Sequence, residues 1–296
     1  MKFLLISILI FTLLLSGCTA EEAPAQIAAT TLPVYEFTAR LCEGTDITVT
    51  RLVTENVSCL HDYSLNVRQV KAAEAAEVIV ISGAGLEEFM EDILHNKAVI
   101  DASANIHLME LSTIHEHEHE HEHTHDHDHS HEEDPHIWLS PANARIMAAN
   151  ICESLCNQYP AHSDIFQQNL SSLIADLDTL EAYGQAQLTG LTNQDLITFH
   201  DGFGYFAEAF GLQILEAVEE ESGSEASAQE LKHLITVVRE HNLPAIFIEI
   251  NGSVSAADVI SRETGTKVYA LDMAMSGDSY FDAMYHNIDT IKEALG

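Results

Sequence analysis

From His162 to Leu188 one pattern runs unbroken for longer than any other in the chain. Phe166, Leu170, Leu173, Ile174, Leu177 and Leu180 recur at steps of three and four, the apolar stripe of an amphipathic helix. At 1.5 Å per residue such a helix extends ~40 Å, long enough to run the length of two lobes rather than to cover one sheet. A long surface helix within one domain would carry the same stripe. Gly184 is its one weak point. With 296 residues the chain has room for two lobes with well-buried cores, one on either side of that helix.

The flanking sequence supports this division, because the same grammar appears on both sides. Before the helix, the apolar run 27–32, the helical stretch 34–42 and the β-branched run 47–53 read as strand, helix, strand. A helix over 65–77 follows, with Val67, Val70, Ala73 and Ala76 as inward positions, then a buried strand over 78–81, a helical stretch 86–94, a short strand 98–100 and an extended segment 106–111. Residues 142–158 read as a further helix. After the long helix, strands are expected over 196–199, 212–218, 245–250 and 267–271. Helices should follow His200, cover 228–241 and 255–264, and close the chain over 280–295. Strands alternating with helices predict an α/β class with mostly parallel sheets. The divisions are an amino-terminal lobe 27–160, a linking helix 161–189 and a carboxyl-terminal lobe 190–296.

One stretch of the first lobe belongs to no such element. From His115 to His131 every second residue is histidine: His115, His117, His119, His121, His123, His125, His127, His129 and His131. All but two of the residues between them are Glu or Asp. The run has nothing apolar with which to join a core, so the loop 115–133 should be solvated and mobile. Its imidazoles and carboxylates are ligands for divalent cations, imidazole favouring zinc, copper or nickel. Windows such as His115-Glu116-His117-Glu118-His119 formally match a zinc-hydrolase pattern. That pattern works only on a packed helix, and no apolar face is available for one.

A net charge of -35 with only 12 Lys and Arg excludes nucleic acid as a partner, which needs clustered basic residues. Residues 1–18 read as a secretory signal, with Lys2 before the apolar run 3–15, ending in Leu15-Ser16-Gly17-Cys18. This end resembles the bacterial lipobox, which implies lipid on Cys18, a tether over 19–26 and a mature protein held outside the cytoplasm on a membrane surface. Of the remaining cysteines, Cys152 and Cys156 lie four apart on one helix, a poor geometry for a mutual disulfide, while Cys42 with Cys59 is one conceivable pair. Their spacing matches no zinc-thiolate pattern.

In open α/β sheets ligands bind beyond the carboxyl ends of the strands. Three metal-competent side chains fall there: His61, His200 directly after Phe199, and Asp272 directly after Leu271. His136 adds a fourth, where the mobile tract re-enters folded sequence. Singly, each is an ordinary loop residue or helix cap. Together, two from each lobe, they make a candidate four-coordinate site between the lobes.

At these residues the chain resembles a known family, the metal-binding receptor lipoproteins of bacterial ABC importers that take up zinc or manganese. The matching stretches are His61-Asp62-Tyr63, Asp134-Pro135-His136-Ile137-Trp138-Leu139-Ser140-Pro141, His200-Asp201-Gly202-Phe203-Gly204-Tyr205-Phe206-Ala207 and Glu263–Val268 running to Leu271-Asp272. The resemblance implies two α/β lobes joined by a long rigid helix, and His61, His136, His200 and Asp272 as ligands of an interlobe metal. It also implies a separate permease and ATPase as partners, with the chain itself a monomer. Ser140 stands where the family usually has Asp, and Cys59-Leu60 precede His61 where Pro is common. A histidine-rich loop is a habit of the zinc-uptake members, and manganese-type members usually place Glu where His200 stands.

Three imidazoles and one carboxylate suit tetrahedral zinc, whereas manganese favours more oxygen donors. Zinc is therefore the expected cargo, with manganese or iron as alternatives. Because a ligating imidazole must be neutral, affinity should fall as pH drops toward about 6.5. Two other classes fit parts of the sequence. A secreted zinc hydrolase needs an open coordination position and a general base, and a passive metal buffer needs only the tract.

Overall fold

The computed structural model describes residues 25–57, 60, 63–111, 133–218 and 226–296. The signal segment with Cys18, Cys59, the His61-Asp62 pair, the histidine tract and the acidic loop 219–225 lie outside the described residues.

The first lobe contains β1 (Ile27–Ala29), α1 (Leu32–Leu41), β2 (Val49–Arg51), α2 (Val67–Ala75), β3 (Val78–Ile81), α3 (Glu91–Leu94) and β4 (Ala98–Asp101). After a single 3-10 turn at Ile137–Leu139 come α4 (Pro141–Gln158) and the long α5 (Ser163–Leu188). The second lobe is β5 (Asp195–Thr198), α6 (Gly204–Phe210), β6 (Gln213–Ala217), α7 (Ala228–Glu240), β7 (Ala245–Glu249), α8 (Ser255–Thr264), β8 (Lys267–Leu271) and α9 (Tyr280–Leu295). Each lobe has a four-stranded, all-parallel sheet, in the order β2-β1-β3-β4 and β6-β5-β7-β8. The two orders are the same, and in both the crossover direction reverses between the two central strands. Such a reversal opens a crevice at the strands' carboxyl ends.

Strand alternation explains how the lobes join. Ile27 and Ala29 of β1, Val78 and Val80 of β3, Leu196 of β5, and Ala245 and Phe247 of β7 all enter one continuous apolar cluster spanning both lobes. The intervening residues face outward into separate clusters, Ala28 and Ile79 under α2 and Ile197, Ile246 and Ile248 under α7 and α8. Side chains on a strand alternate between faces, so each sheet has one shared and one private side. Helix α5 carries the expected stripe inward at Phe166, Leu173, Leu177, Leu180 and Leu188. It packs on α1 and α4 of the first lobe and on α6 and α9 of the second, the spine arrangement.

Gly184 is not a defect in that helix. A Cβ there would lie 2.2 Å from Cε1 of Phe210, so the missing side chain is what lets α6 seat its last aromatic ring against α5. Other expectations need correction. Val67 opens α2 at the surface, 73% exposed, because Asn66 caps the helix there and Gln69 turns inward in its place. The segment 106–111 stays outside the sheet, and its one ladder contact is an isolated antiparallel bridge between Glu110 and Glu133. Residues 86–94 form a 3-10 turn and the single turn α3 rather than one helix. Cys42, Cys152 and Cys156 are free thiols, and burial pushes Cys42 and Cys152 up to about 12, the inert state of structural cysteines.

Candidate metal centre

His200 lies two residues beyond β5, at the crevice of the second sheet, and His136 enters from the segment that closes the histidine tract. Both are 1% exposed. Their Nε2 atoms face each other at 3.2 Å with the rings nearly perpendicular, at 87°. The other nitrogen of each ring points at a carboxylate. Nδ1 of His136 is 2.7 Å from Oδ1 of Asp134, and Nδ1 of His200 is 3.7 Å from Oε1 of Glu249.

This arrangement fixes the chemistry of the pair. A carboxylate accepting the Nδ1 proton of His136 leaves Nε2 as a lone pair. The approach of a second Nε2 from His200 then places two potential donors edge to edge in a buried, low-dielectric space. Without a cation the 3.2 Å contact is an N–H···N hydrogen bond, His200 Nε2 donating to that lone pair, and a metal ion would take the place of the shared proton. Two zinc–nitrogen bonds of about 2.0–2.1 Å meeting at a tetrahedral angle separate their nitrogens by about 3.3 Å. The observed spacing is close to that value.

The backbone around the pair is built to permit the approach. A Cβ on Gly202 would lie 2.7 Å from Cδ2 of His200, 2.9 Å from Nδ1 of His136 and 2.8 Å from Cε of Met273, so only glycine passes beneath both rings. Asp134 is itself held: its N–H donates to Met109 O at 2.8 Å, and Tyr205 Oη donates to its carbonyl at 3.0 Å. The Glu110–Glu133 bridge pairs two described residues that flank the histidine tract in sequence, the second of them three residues before His136.

The family description "Zinc-uptake complex component A periplasmic" (ZnuA) matches residues 27–294. The chain belongs to the ZnuA family. Among its relatives is the high-affinity zinc uptake system protein ZnuA of Bacillus subtilis, 30% identical over 282 residues, covering 91% of this chain and 87% of that protein. The iron-binding protein YfeA of Yersinia pestis is 26% identical over 99% of this chain and 95% of its own length. A crystal structure of ZnuA superposes with a TM-score of 0.78 at 28% identity, covering 92% of this chain and 100% of that one. ZnuA-family proteins are extracytoplasmic substrate receptors that work with an ABC transporter, and they are not enzymes. No described helix is long and apolar enough to cross a membrane.

Of the four expected ligands, the structure brings His136 and His200 together. His61 lies outside the described residues. Asp272 follows β8 at the same carboxyl-end face, half-buried. Its backbone is clasped on both sides by Asn287, which accepts from Asp272 N at 2.7 Å and donates to Asp272 O at 2.7 Å. Its Oδ1 accepts from Ala274 N at 2.8 Å. Burial holds its carboxyl above the usual carboxylate range, against the opposing effects of the Ala274 N–H and His286. Among the described residues no three His, Cys, Asp or Glu side chains are grouped closely enough to hold a metal ion. Sequence reading missed the carboxylates behind the histidines. Asp134, two residues before a candidate ligand and followed by Pro135, was accessible as a signal. Glu249, an acid closing an otherwise apolar strand, was the other.

Proposed function

We propose that this chain captures zinc outside the cytoplasm and presents it to the membrane permease of an ABC importer, whose ATPase works from the other side. His61, His136, His200 and Asp272 form the binding set, His61 arriving from the loop after β2 and Asp272 from the loop after β8. The observation that carries the reading is the His136–His200 pair, two buried Nε2 donors at 3.2 Å, each with a carboxylate behind it. Three nitrogens and one carboxylate favour zinc over manganese. The iron-binding relative keeps iron as the second reading.

The remaining sequence expectations complete this proposal. Cys18 carries the lipid after removal of the signal segment, and the monomer is tethered to the membrane through 19–26. The tract from His115 to His131 is a low-affinity collector, rooted beside His136 through the Glu110–Glu133 bridge. The decisive experiment is a zinc, manganese and iron competition titration of the protein with and without residues 115–131. Tight one-to-one zinc binding that survives the deletion supports the receptor. Loss of all tight binding on deletion means that the tract alone acts, as a buffer.

A further inference from the structure

The loop Asp272–Ser279, which joins β8 to α9 in the second lobe, is held almost entirely by the first lobe. Met273 O accepts from Trp138 Nε1 at 2.8 Å, Met275 O from Leu32 N at 3.1 Å, and Gly277 O from Arg51 Nη1 at 2.7 Å. Every second carbonyl of the loop is thus taken by a donor from a different first-lobe segment. At the loop's exit Tyr280 N donates to Glu36 Oε2 at 2.6 Å, and Tyr280 Oη donates to Trp138 O at 2.8 Å. From its own lobe the loop is held at its two ends, Asp272 by Asn287 and Ser279 by capping α9 at Asp282 N.

The donors are not scattered at random. Trp138 lies two residues beyond His136, and its buried ring packs edge-on against that imidazole, with centroids 5.5 Å apart. Arg51 ends β2, the strand that leads toward His61, and its guanidinium lies over the ring of Tyr35. The loop also contains a backbone conformation that an alanine adopts only under constraint. Ala274 has φ 54°, and its N–H is turned back onto the Asp272 carboxylate. Such a conformation is strained for a residue with a Cβ and persists where the surroundings impose it. Here the Trp138 and Leu32 bonds flank it on either side.

We infer that this loop is a strap that fixes the Asp272 carboxylate relative to the first-lobe ligands, with Arg51 and Trp138 as positioning residues for metal selection. The inference rests on the proposed zinc site and adds to it the device that sets one ligand's place. A short-bonded tetrahedral ion depends on each donor's position more steeply than a larger ion that accepts oxygen donors in a flexible, higher-coordinate shell. A slackened strap therefore costs zinc affinity first and lowers zinc-over-manganese selectivity.

The test compares the purified full-length protein with Arg51→Met and Arg51→Lys, measuring zinc and manganese dissociation constants by competition. Arg51→Met is expected to weaken zinc about tenfold while manganese changes less than about twofold, the size of effect seen when a group supporting a metal ligand is lost. Arg51→Lys, which retains a donor for Gly277 O, should restore most of the zinc affinity. Equal weakening of both metals, or no weakening of zinc, overturns the strap while leaving the parent's zinc binding as evidence for the receptor. A parent that binds no zinc overturns both. Amide exchange in the unmutated protein gives a second test that needs no variant. Zinc should slow exchange at Leu32 and Tyr280 by at least about fivefold, leaving Ile246 in β7 unchanged, because a loaded Asp272 stabilises the bonds its strap makes. Unchanged exchange at Leu32 and Tyr280 also overturns the strap.

Discussion

The two sheets have one strand order and two different crevices. In the first lobe the crevice between β1 and β3 is filled by Glu87, a fully buried carboxyl that accepts from Thr30 Oγ1 at 2.6 Å, Ser82 N at 2.8 Å and Gly83 N at 3.0 Å. In the second lobe the corresponding crevice, between β5 and β7, holds His200, whose Nε2 is directed at His136 across the lobe boundary. One crevice is closed by its own hydrogen bonds, and the other offers a donor atom to a ligand. The same topology therefore yields a structural plug in one lobe and half of a buried imidazole pair in the other. The first lobe meets it with His136, which enters from the segment before α4. Substitutions in the two crevices should accordingly separate binding from stability.

The largest effect is expected at His200. His200→Ala should weaken zinc about a thousandfold, or ~4 kcal/mol, in a competition titration, with the urea midpoint little changed. A variant that still binds tightly breaks the contrast from the second-lobe side.

Glu87 should do the opposite. Burial pushes its carboxyl up to about 7, from 4.5. The folded state therefore holds a proton that the unfolded chain releases. This contribution to stability is fully present below about pH 4.5 and is lost as pH rises through about 7, a change of about 3 kcal/mol. Urea unfolding at pH 5 and pH 8 should show that loss in the parent, and Glu87→Gln should remove most of it while zinc affinity at fixed pH stays the same. A zinc affinity that follows the Glu87 substitution would mean that the first crevice is part of the site.

A smaller effect on binding is expected at Asp134, which supports His136 without itself being a proposed ligand. Asp134→Asn should cost about 10–100-fold in zinc affinity, because the neutral amide no longer fixes the imidazole tautomer. Smallest is Gly184→Ala. The added methyl meets the Phe210 ring, and overpacking of this kind costs about 1–3 kcal/mol of stability. Thermal unfolding reads it, with zinc affinity unaffected because the α5–α6 contact does not touch the imidazole pair.

Much of the scaffold was legible because local pattern and tertiary demand agree in it. Alternation in Ile27-Ala28-Ala29 and Ala245–Ile248 announces sheets buried on both faces, and the three-and-four spacing from Phe166 to Leu180 announces the spine. His136 and His200 were legible through their place at strand and tract ends. What escaped depends on partners remote in sequence or on a competing local interaction. Gly184 makes sense only beside Phe210, and Glu87 only with Thr30, which lies 57 residues earlier. The cross-lobe bonds from Trp138 to Met273 and from Arg51 to Gly277 span more than a hundred residues and leave no periodic trace. Val67 looked inward by spacing, but the Asn66–Gln69 capping box set the helix start so that it faces outward.

The proposed high-affinity site is the interlobe imidazole pair and not the conspicuous tract. Trp138, the chain's only tryptophan, packs against His136 and reports on that site by fluorescence. The direct test is a zinc titration following Trp138 emission in the protein lacking residues 115–131, alone and with His136→Ala added. Tight one-to-one binding is expected in the first and its loss in the second. Tight binding that persists without His136 would contradict it.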